Sequence, residues 1–247
     1  MQYQGGKSRI ASALVAAIKN LYPTATEIWE PFCGGGAMTA KLAHEGFRVH
    51  ASDNHEDLIL MWQAVMQGEM EPFADVTEAE YQDLKAAAPS ARRGFVGYGA
   101  SFGGAWWGGF ARRHFSGGKP AKVQPHQEAR KSAWFLHGRP ITFTLADYTS
   151  VPDDVLVYAD PPYAGTKSYK GAPAFDHAAF WSWVRNRSGP TFVSELTCPD
   201  PQLNIVWHKQ HKSQNASNSP TTRATSKIIE REERLYYKPA TIAAVSR

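Results

Sequence analysis

TEIWEPFCGGGAMTAKLAHEG (residues 26–46) runs directly into FRVHASDN (47–54), and the pair decides the fold. A short β-prone segment through Ile28 and Trp29 meets a glycine turn. A helical segment begins near Ala37 and stops at Gly46, and a second strand ends on Asp53. Glycine stops a helix because it enters the left-handed region without a steric penalty. Strand, glycine loop, helix, strand and acid, in that order, is the sequence form of a βαβ unit.

In a sheet built from such units, ligands sit beyond the carboxyl ends of the strands, which is where residues 31–36 fall. A nicotinamide fingerprint G-x-G-x-x-G starting at Gly34 needs glycine at position 39, which is Thr39. Asp53, ending the next strand, can accept two hydrogen bonds from a ribose diol. Loop and acid together point to an adenosine-containing ligand without a pyrophosphate, S-adenosylmethionine, with Gly34 and Gly36 beside it. A plain tight turn, with Asp53 capping a helix, is the alternative. QGGKS (4–8) is not a phosphate loop, because the first glycine of G-x-x-x-x-G-K-[ST] falls on Met1. Lys7, by itself, reads as a surface lysine.

Working outward, Ser8 is placed to cap a helix with Ile10, Leu14, Ile18 and Leu21 on one face, running to about Tyr22. A further helix is expected from Glu56 to Gln67. Residues 68–138 then lose the strand–helix alternation. Nine of the chain's 20 glycines lie in GFVGYGASFGGAWWGGFARRHFSGG (94–118), mixed with six Phe and Trp and with Tyr98. From Ile141 the pattern returns with ITFTLADY, VLVYADPPY, a helix around 175–186 and TFVSEL. Residues 209–227 read as a polar loop and ERLYYK as a last strand. The expected fold is α/β: a Rossmann-like sheet with helices on both faces, a catalytic domain from residues 1–67 and 139–247, and a small inserted recognition lobe at 68–138.

VLVYADPPYAG (155–165) carries the chemistry. The apolar run 155–159 is that of a strand buried on both faces. Two prolines continue neither a ladder nor a helix interior, so the chain leaves the sheet in an extended turn that presents Asp160 and Tyr163 at the carboxyl edge. Prolines lack N–H groups, which leaves the carbonyls of Asp160 and Pro161 as acceptors beside the carboxylate, a corner suited to an –NH₂ group. The exocyclic amine of adenine is a weak nucleophile because its lone pair is delocalised into the ring. Accepting hydrogen bonds from both N–H groups favours the pyramidal nitrogen and stabilises its developing positive charge as it attacks a sulfonium methyl. Tyr163 offers a stacking face worth about 1–3 kcal/mol per base. A target inside a duplex must be flipped out, at about a few kcal/mol. A D-P-P-Y turn without chemistry is the alternative.

Net charge is +4, but residues 92–139 hold nine Lys and Arg against one acid, Glu128, or +8, leaving −4 elsewhere. A basic segment in an otherwise slightly acidic chain suggests a polyanion bound at one place, an ordinary basic face being the alternative. Arg92, Arg93, Arg112, Arg113, Lys119, Lys122, Arg130 and Lys131 are the expected phosphate contacts. Trp106, Trp107 or Phe110 either fill the gap left by a flipped base or form the insert's own core. Cys33 and Cys198 show neither metal-ligand spacing nor a disulfide framework, so no metal is expected. The chain has no apolar run near the roughly 18 residues of a membrane span and no signal-peptide core, so a cytoplasmic protein of a bacterium or phage-infected cell is expected.

In the order cofactor motif, recognition segment, catalytic motif, the sequence resembles the Dam-type (alpha-group) DNA adenine-N6 methyltransferases. The matching stretches are YQGGK (3–7), EPFCGGGA (30–37), SDN (52–54), ADY (146–148), YADPPY (158–163), TKSY (166–169) and ERLYY (233–237). FVGYGASFGGAWWGGFARR (95–113) is similar to the segment of phage-borne members. The resemblance implies that Tyr3, Lys7, Phe32, Asp53, Asp147 and Tyr148, with Asp160, line the S-adenosylmethionine site. It also implies that Asp160, Pro161, Pro162 and Tyr163 are catalytic. The sequence departs from the family at Tyr3, where tryptophan is frequent, and in its insert, which differs from the enterobacterial recognition domain. Cytosine-N4 methyltransferases share the Pro-Pro-Tyr core, but serine often replaces the aspartate there. RNA-amine and protein-glutamine methyltransferases use related tetrapeptides, and a DNA-binding relative without catalysis is the reading from another class.

Overall fold

The computed structural model describes residues 3, 5–69, 71, 75–111, 136–164, 174–214 and 228–241. Their strands form one seven-stranded sheet: β1 (Glu27–Glu30), β2 (Arg48–Asp53), β3 (Ile141–Leu145), β4 (Val157–Ala159), β5 (Thr191–Glu195), β6 (Asn204–Gln214) and β7 (Ile228–Lys238). The order is β3-β2-β1-β4-β5-β7-β6, with β1 to β5 parallel and β7 antiparallel to both of its neighbours. The chain order reverses between β1 and β4, which places a ligand crevice at their carboxyl ends.

Alternation along the central strands explains why both faces are covered. Ile28, Tyr158, Phe192 and Leu235 share a core with α1 (Ala11–Leu21), α2 (Ala37–His44) and α3 (Glu56–Gln67), through Leu14, Ile18, Leu42, Leu58 and Trp62. Their sequence neighbours Val157, Ala159, Val193 and Tyr236 pack on the other face with Phe180, Trp181 and Val184. These three belong to the helix His177–Asn186, here α6. A strand whose odd and even residues both meet helices needs apolar side chains throughout, which is the origin of the run at 155–159. Only Val157–Ala159 of that run is strand.

The insert is less separate than the sequence suggests. Its α4 (Glu78–Lys85) is capped by Thr77, which accepts from Glu80 N, and its α5 (Ala91–Gly99) by Ser90, which accepts from Arg93 N. α5 lies so close to α3 that a Cβ on Gly94 would stand 2.2 Å from the Asp57 carbonyl oxygen. Tyr81, Phe95 and Tyr98 consequently join the same core as Leu58 and Met61.

Two boundaries differ from expectation. Ser8 does not cap α1: the helix starts after Ile10, and the Lys7 carbonyl accepts from Ile10 N and Ala11 N. β6 covers residues 204–214, six of which fall in the expected polar loop. β6 is the edge strand, pairing with β7 alone, and from Lys209 outward its residues are all polar, the composition of a loop.

Candidate active site

The glycine loop leaves β1 and is pinned from both sides. Asp53 Oδ2 accepts from Gly34 N at 3.0 Å, while Oδ1 accepts from His55 N at 3.1 Å. Trp62 Nε1 donates to the Gly34 carbonyl at 2.9 Å. Gly36 begins α2 at φ 69°, the left-handed region, with the Trp62 ring 2.9 Å from where a Cβ would sit. Trp62 was invisible as a site residue in the sequence, since a Trp on an amphipathic helix reads only as core. Burial raises the Asp53 carboxyl to about 6, against the three backbone N–H groups that favour its charged form.

Around this loop the structure gathers most of the expected cofactor residues. Tyr3 lies over Gly34 and Gly35 and meets Tyr98 at 4.8 Å between ring centroids. A cavity of about 320 Å³ opens beside it, lined by Tyr3, Gly5, Gly6, Ser8, Arg9, Gly35 and Ala37. Phe32 stacks on Tyr148 at 5.6 Å and 24°. Asp147 contributes differently: its Oδ1 accepts from both the backbone N and the hydroxyl of Thr149, closing the turn that presents Tyr148.

The second cluster sits at the end of β4. Asp160 Oδ2 pairs with Lys7 Nζ at 2.6 Å, and Lys7, expected on the surface from its own sequence context, is only 7% exposed. Among the described residues Asp160 Oδ1 is buried and makes no hydrogen bond. Pro161 is buried and Pro162 exposed, so the turn leaves the sheet as expected. Lys7 Nζ also lies 4.7 Å from the centre of the Tyr163 ring and donates to the Gly5 carbonyl.

A residue that sequence reasoning placed only within a matching stretch completes the cluster. Glu233 of β7 accepts from the Tyr163 hydroxyl at 2.8 Å and lies 3.5 Å from Lys7 Nζ. Two carboxylates thus share one ammonium. Burial alone would lower the Lys7 pKa, but Asp160 and Glu233 outweigh it and hold it above the ordinary lysine value. The Asp160 carboxyl is also raised, by burial first, with Lys7 opposing. Burial and both carboxylates keep Tyr163 protonated, as a donor. Behind the loop, the buried Glu30 accepts from Thr39 Oγ1 at 2.6 Å.

The basic residues divide. Arg93 pairs with Asp57, donates to the Leu84 and Lys85 carbonyls and lies over Trp106 and Trp107. Arg92 is held by Glu80 and the Asp75 carbonyl. Arg92 is thus tied within the lobe, and Arg93 ties the lobe to α3. Arg112, Arg113, Lys119, Lys122, Arg130 and Lys131 lie outside the described residues, as does TKSY. Trp106 packs on His55 and Tyr98 and Trp107 on Tyr81, with Phe110 beside them, so these rings lie, partly buried, against the core. Among the described residues no group of three or more His, Cys, Asp or Glu could hold a metal ion, and no helix is long and apolar enough to cross a membrane.

Residues 3–96 match the model of the D12 class N6 adenine-specific DNA methyltransferase family. The match runs from Tyr3 into α5 and supports an S-adenosylmethionine-dependent adenine-N6 methyltransferase. No curated protein matches. Among solved structures, the chain is similar to a Pyrococcus horikoshii protein provisionally assigned as an RNA methyltransferase, at 10% identity and TM-score 0.43, covering 94% of this chain and 83% of that one. It is also similar to magnesium protoporphyrin IX methyltransferase from Synechocystis, at 10% identity and TM-score 0.39, covering 93% and 78%. At that level of overlap the fold assignment rests on this chain's own strand order.

Proposed function

We propose that this chain, whose residues 3–96 match the model of the D12-class adenine-N6 methyltransferases, transfers a methyl group from S-adenosylmethionine to the N6 amine of an adenine flipped out of DNA. The observation that carries the reading is the buried Asp160 Oδ1 at the carboxyl end of a central strand, without a hydrogen-bond partner among the described residues, its twin oxygen fixed by Lys7.

The residues present fit the cofactor. The Asp53 carboxylate, held against the glycine loop, is suited to accept from a ribose diol, a cavity opens on the loop at Gly35 and Tyr3, and the stacked Phe32 and Tyr148 offer an apolar wall. When bound, S-adenosylmethionine supplies an electrophilic sulfonium methyl. Asp160 Oδ1 accepts from the N6 amine, turning its lone pair out of the ring plane, and stabilises the positive charge that grows on nitrogen. Lys7 keeps the carboxylate oriented throughout. Once the amine has become a methylammonium, the same oxygen is placed to take the proton it loses. Tyr163 supplies the stacking face that holds the base in position. The basic segment beyond α5 suits a DNA partner, in the cytoplasm of a bacterial or phage-infected cell.

The test is labelled-methyl transfer to DNA, RNA and protein, followed by mass spectrometry of the digested nucleosides. N6-methyladenine from DNA is expected. Asp160→Ala should abolish transfer while the cofactor still binds. N4-methylcytosine as the product would overturn the base assignment, and label confined to RNA or protein would overturn the substrate.

A further inference from the structure

We propose that Glu233 is a positioning residue for this reaction, holding the Tyr163 ring by its hydroxyl and holding Lys7 on one side of Asp160. The inference rests on the methyl-transfer reading above.

The sheet explains how a residue so late in the chain arrives there. β7 runs antiparallel to β5, with Arg234 opposite Glu195 at the carboxyl end of β5. Glu233 is the next residue outward, at the edge where β4 releases Asp160. It shares the parity of Leu235, which faces the α1–α3 side, the side from which Lys7 approaches. Its side chain is 13% exposed. Setting a second carboxylate close to Asp160 is unfavourable unless that carboxylate has a task, because like charges in a shared, partly dry site repel.

Its contacts define the task. A partly buried tyrosine hydroxyl needs a partner, and Glu233 accepts from Tyr163 at 2.8 Å. The bond anchors the outer end of the ring against swinging about its Cα–Cβ bond, so the ring is in place before a base arrives. Lys7 is also stationed by Glu233. Its ammonium has three donors, and Asp160 Oδ2, the Gly5 carbonyl and Glu233 lie at 2.6, 3.2 and 3.5 Å. An ammonium so engaged stays on one side of Asp160 and leaves Oδ1 open to the amine. Without Glu233, Lys7 can swing to bridge both oxygens while the Tyr163 ring loosens. Glu233 itself lies away from Asp53 and the glycine loop, which organise cofactor binding at the ends of β1 and β2.

The experiment measures kcat, and KM for S-adenosylmethionine, on DNA for wild type, Glu233→Ala, Glu233→Gln, Tyr163→Phe and the Glu233→Ala/Tyr163→Phe double variant. Glu233→Ala is expected to lower kcat by about 10- to 100-fold, the scale of a misplaced reacting group, with KM for the cofactor unchanged. Glu233→Gln, whose amide oxygen still accepts from the tyrosine, should recover kcat to within about threefold. In the Tyr163→Phe background, Glu233→Ala should have a much smaller effect than in wild type, because the shared bond is already gone. A kcat within twofold of wild type in Glu233→Ala overturns the proposal, as does an equal fold-loss in both backgrounds. If Glu233→Ala melts well below wild type, Glu233→Gln decides: a folded Gln variant more than tenfold slower refutes the positioning role. A wild-type protein that methylates no DNA refutes the underlying reading, whereas an active one indifferent to Glu233 refutes only this inference.

Discussion

Lys7 Nζ, from the segment before α1, lies 2.6 Å from Asp160 Oδ2 at the end of β4. Lys7→Met keeps most of the stem and removes the charge, leaving Asp160 buried without its counter-ion. The expected result is a kcat lower by about 100-fold. The acid limb of the kcat profile should also move to higher pH, because the Lys7 charge is what opposes the burial that raises the Asp160 carboxyl. An acid limb that stays in place would show that Asp160 takes its charge balance from another group.

Asp53, with a carboxyl raised to about 6 by burial, makes cofactor affinity depend on pH. The ribose hydroxyls donate to the ionised form, so calorimetry should show Kd rising as pH falls through about 6. Asp53→Asn should remove that dependence. Stability runs the opposite way at this group. Between its ordinary pKa and about 6 the folded state binds more protons than the unfolded one, so Asp53's contribution to stability declines as pH rises through that window.

Arg93 and Arg112 separate structure from DNA contact. Arg93→Ala leaves Asp57 buried without its partner and should destabilise the fold by about 3 kcal/mol in urea titrations. The salt dependence of DNA binding should then be unchanged at temperatures where the variant is folded. Neutralising Arg112 and Arg113 together should instead leave stability near wild type and reduce the slope of log affinity against log salt by up to about 2. A reduced slope in Arg93→Ala would move that arginine onto the phosphates.

Gly94 tests how tightly the insert is joined to the catalytic sheet. The atom a Cβ would meet is a backbone oxygen, which cannot rotate away as a flexible side chain would. Gly94→Ala should force α5 off α3 and destabilise the protein by about 1–3 kcal/mol. A Tm drop of about 2–4 °C per kcal/mol is the corresponding readout. An unchanged Tm would mean that the two helices part without loss.

What the sequence disclosed, and what it concealed, follows from where each signal comes from. The βαβ start was legible because Gly36, Gly46 and Asp53 punctuate short periodic segments. α3 falls on residues 56–67 as expected, since acids open it and Gly68 closes it in the left-handed conformation. The distal part of β6 was hidden because its pairing with β7 leaves no apolar stripe, and polar residues there resemble a loop. Trp106 and Trp107 could be read as probes of DNA or as core, and their contacts with Tyr98, His55 and Tyr81 are made by segments too distant in sequence to be read from it. Asp160 and Tyr163 announced themselves through the prolines between them. The pairing of Lys7 with Asp160, and of Glu233 with Tyr163, is made by the sheet alone; the available hint was the acid that opens the ERLYY stretch.

The antiparallel placement of β7 also fixes when, during synthesis, the centre can first exist. A nascent chain that has emerged only through β5 already holds Lys7, the glycine loop and the D-P-P-Y turn, yet β7, which brings Glu233 to Tyr163, is still to be translated. The segment before α1 and the strand β7 meet beside the end of β4, so a strand translated later closes the network around a lysine translated earlier. A messenger truncated before β7 then yields an unfinished sheet with an exposed β5 edge, rather than a slower enzyme.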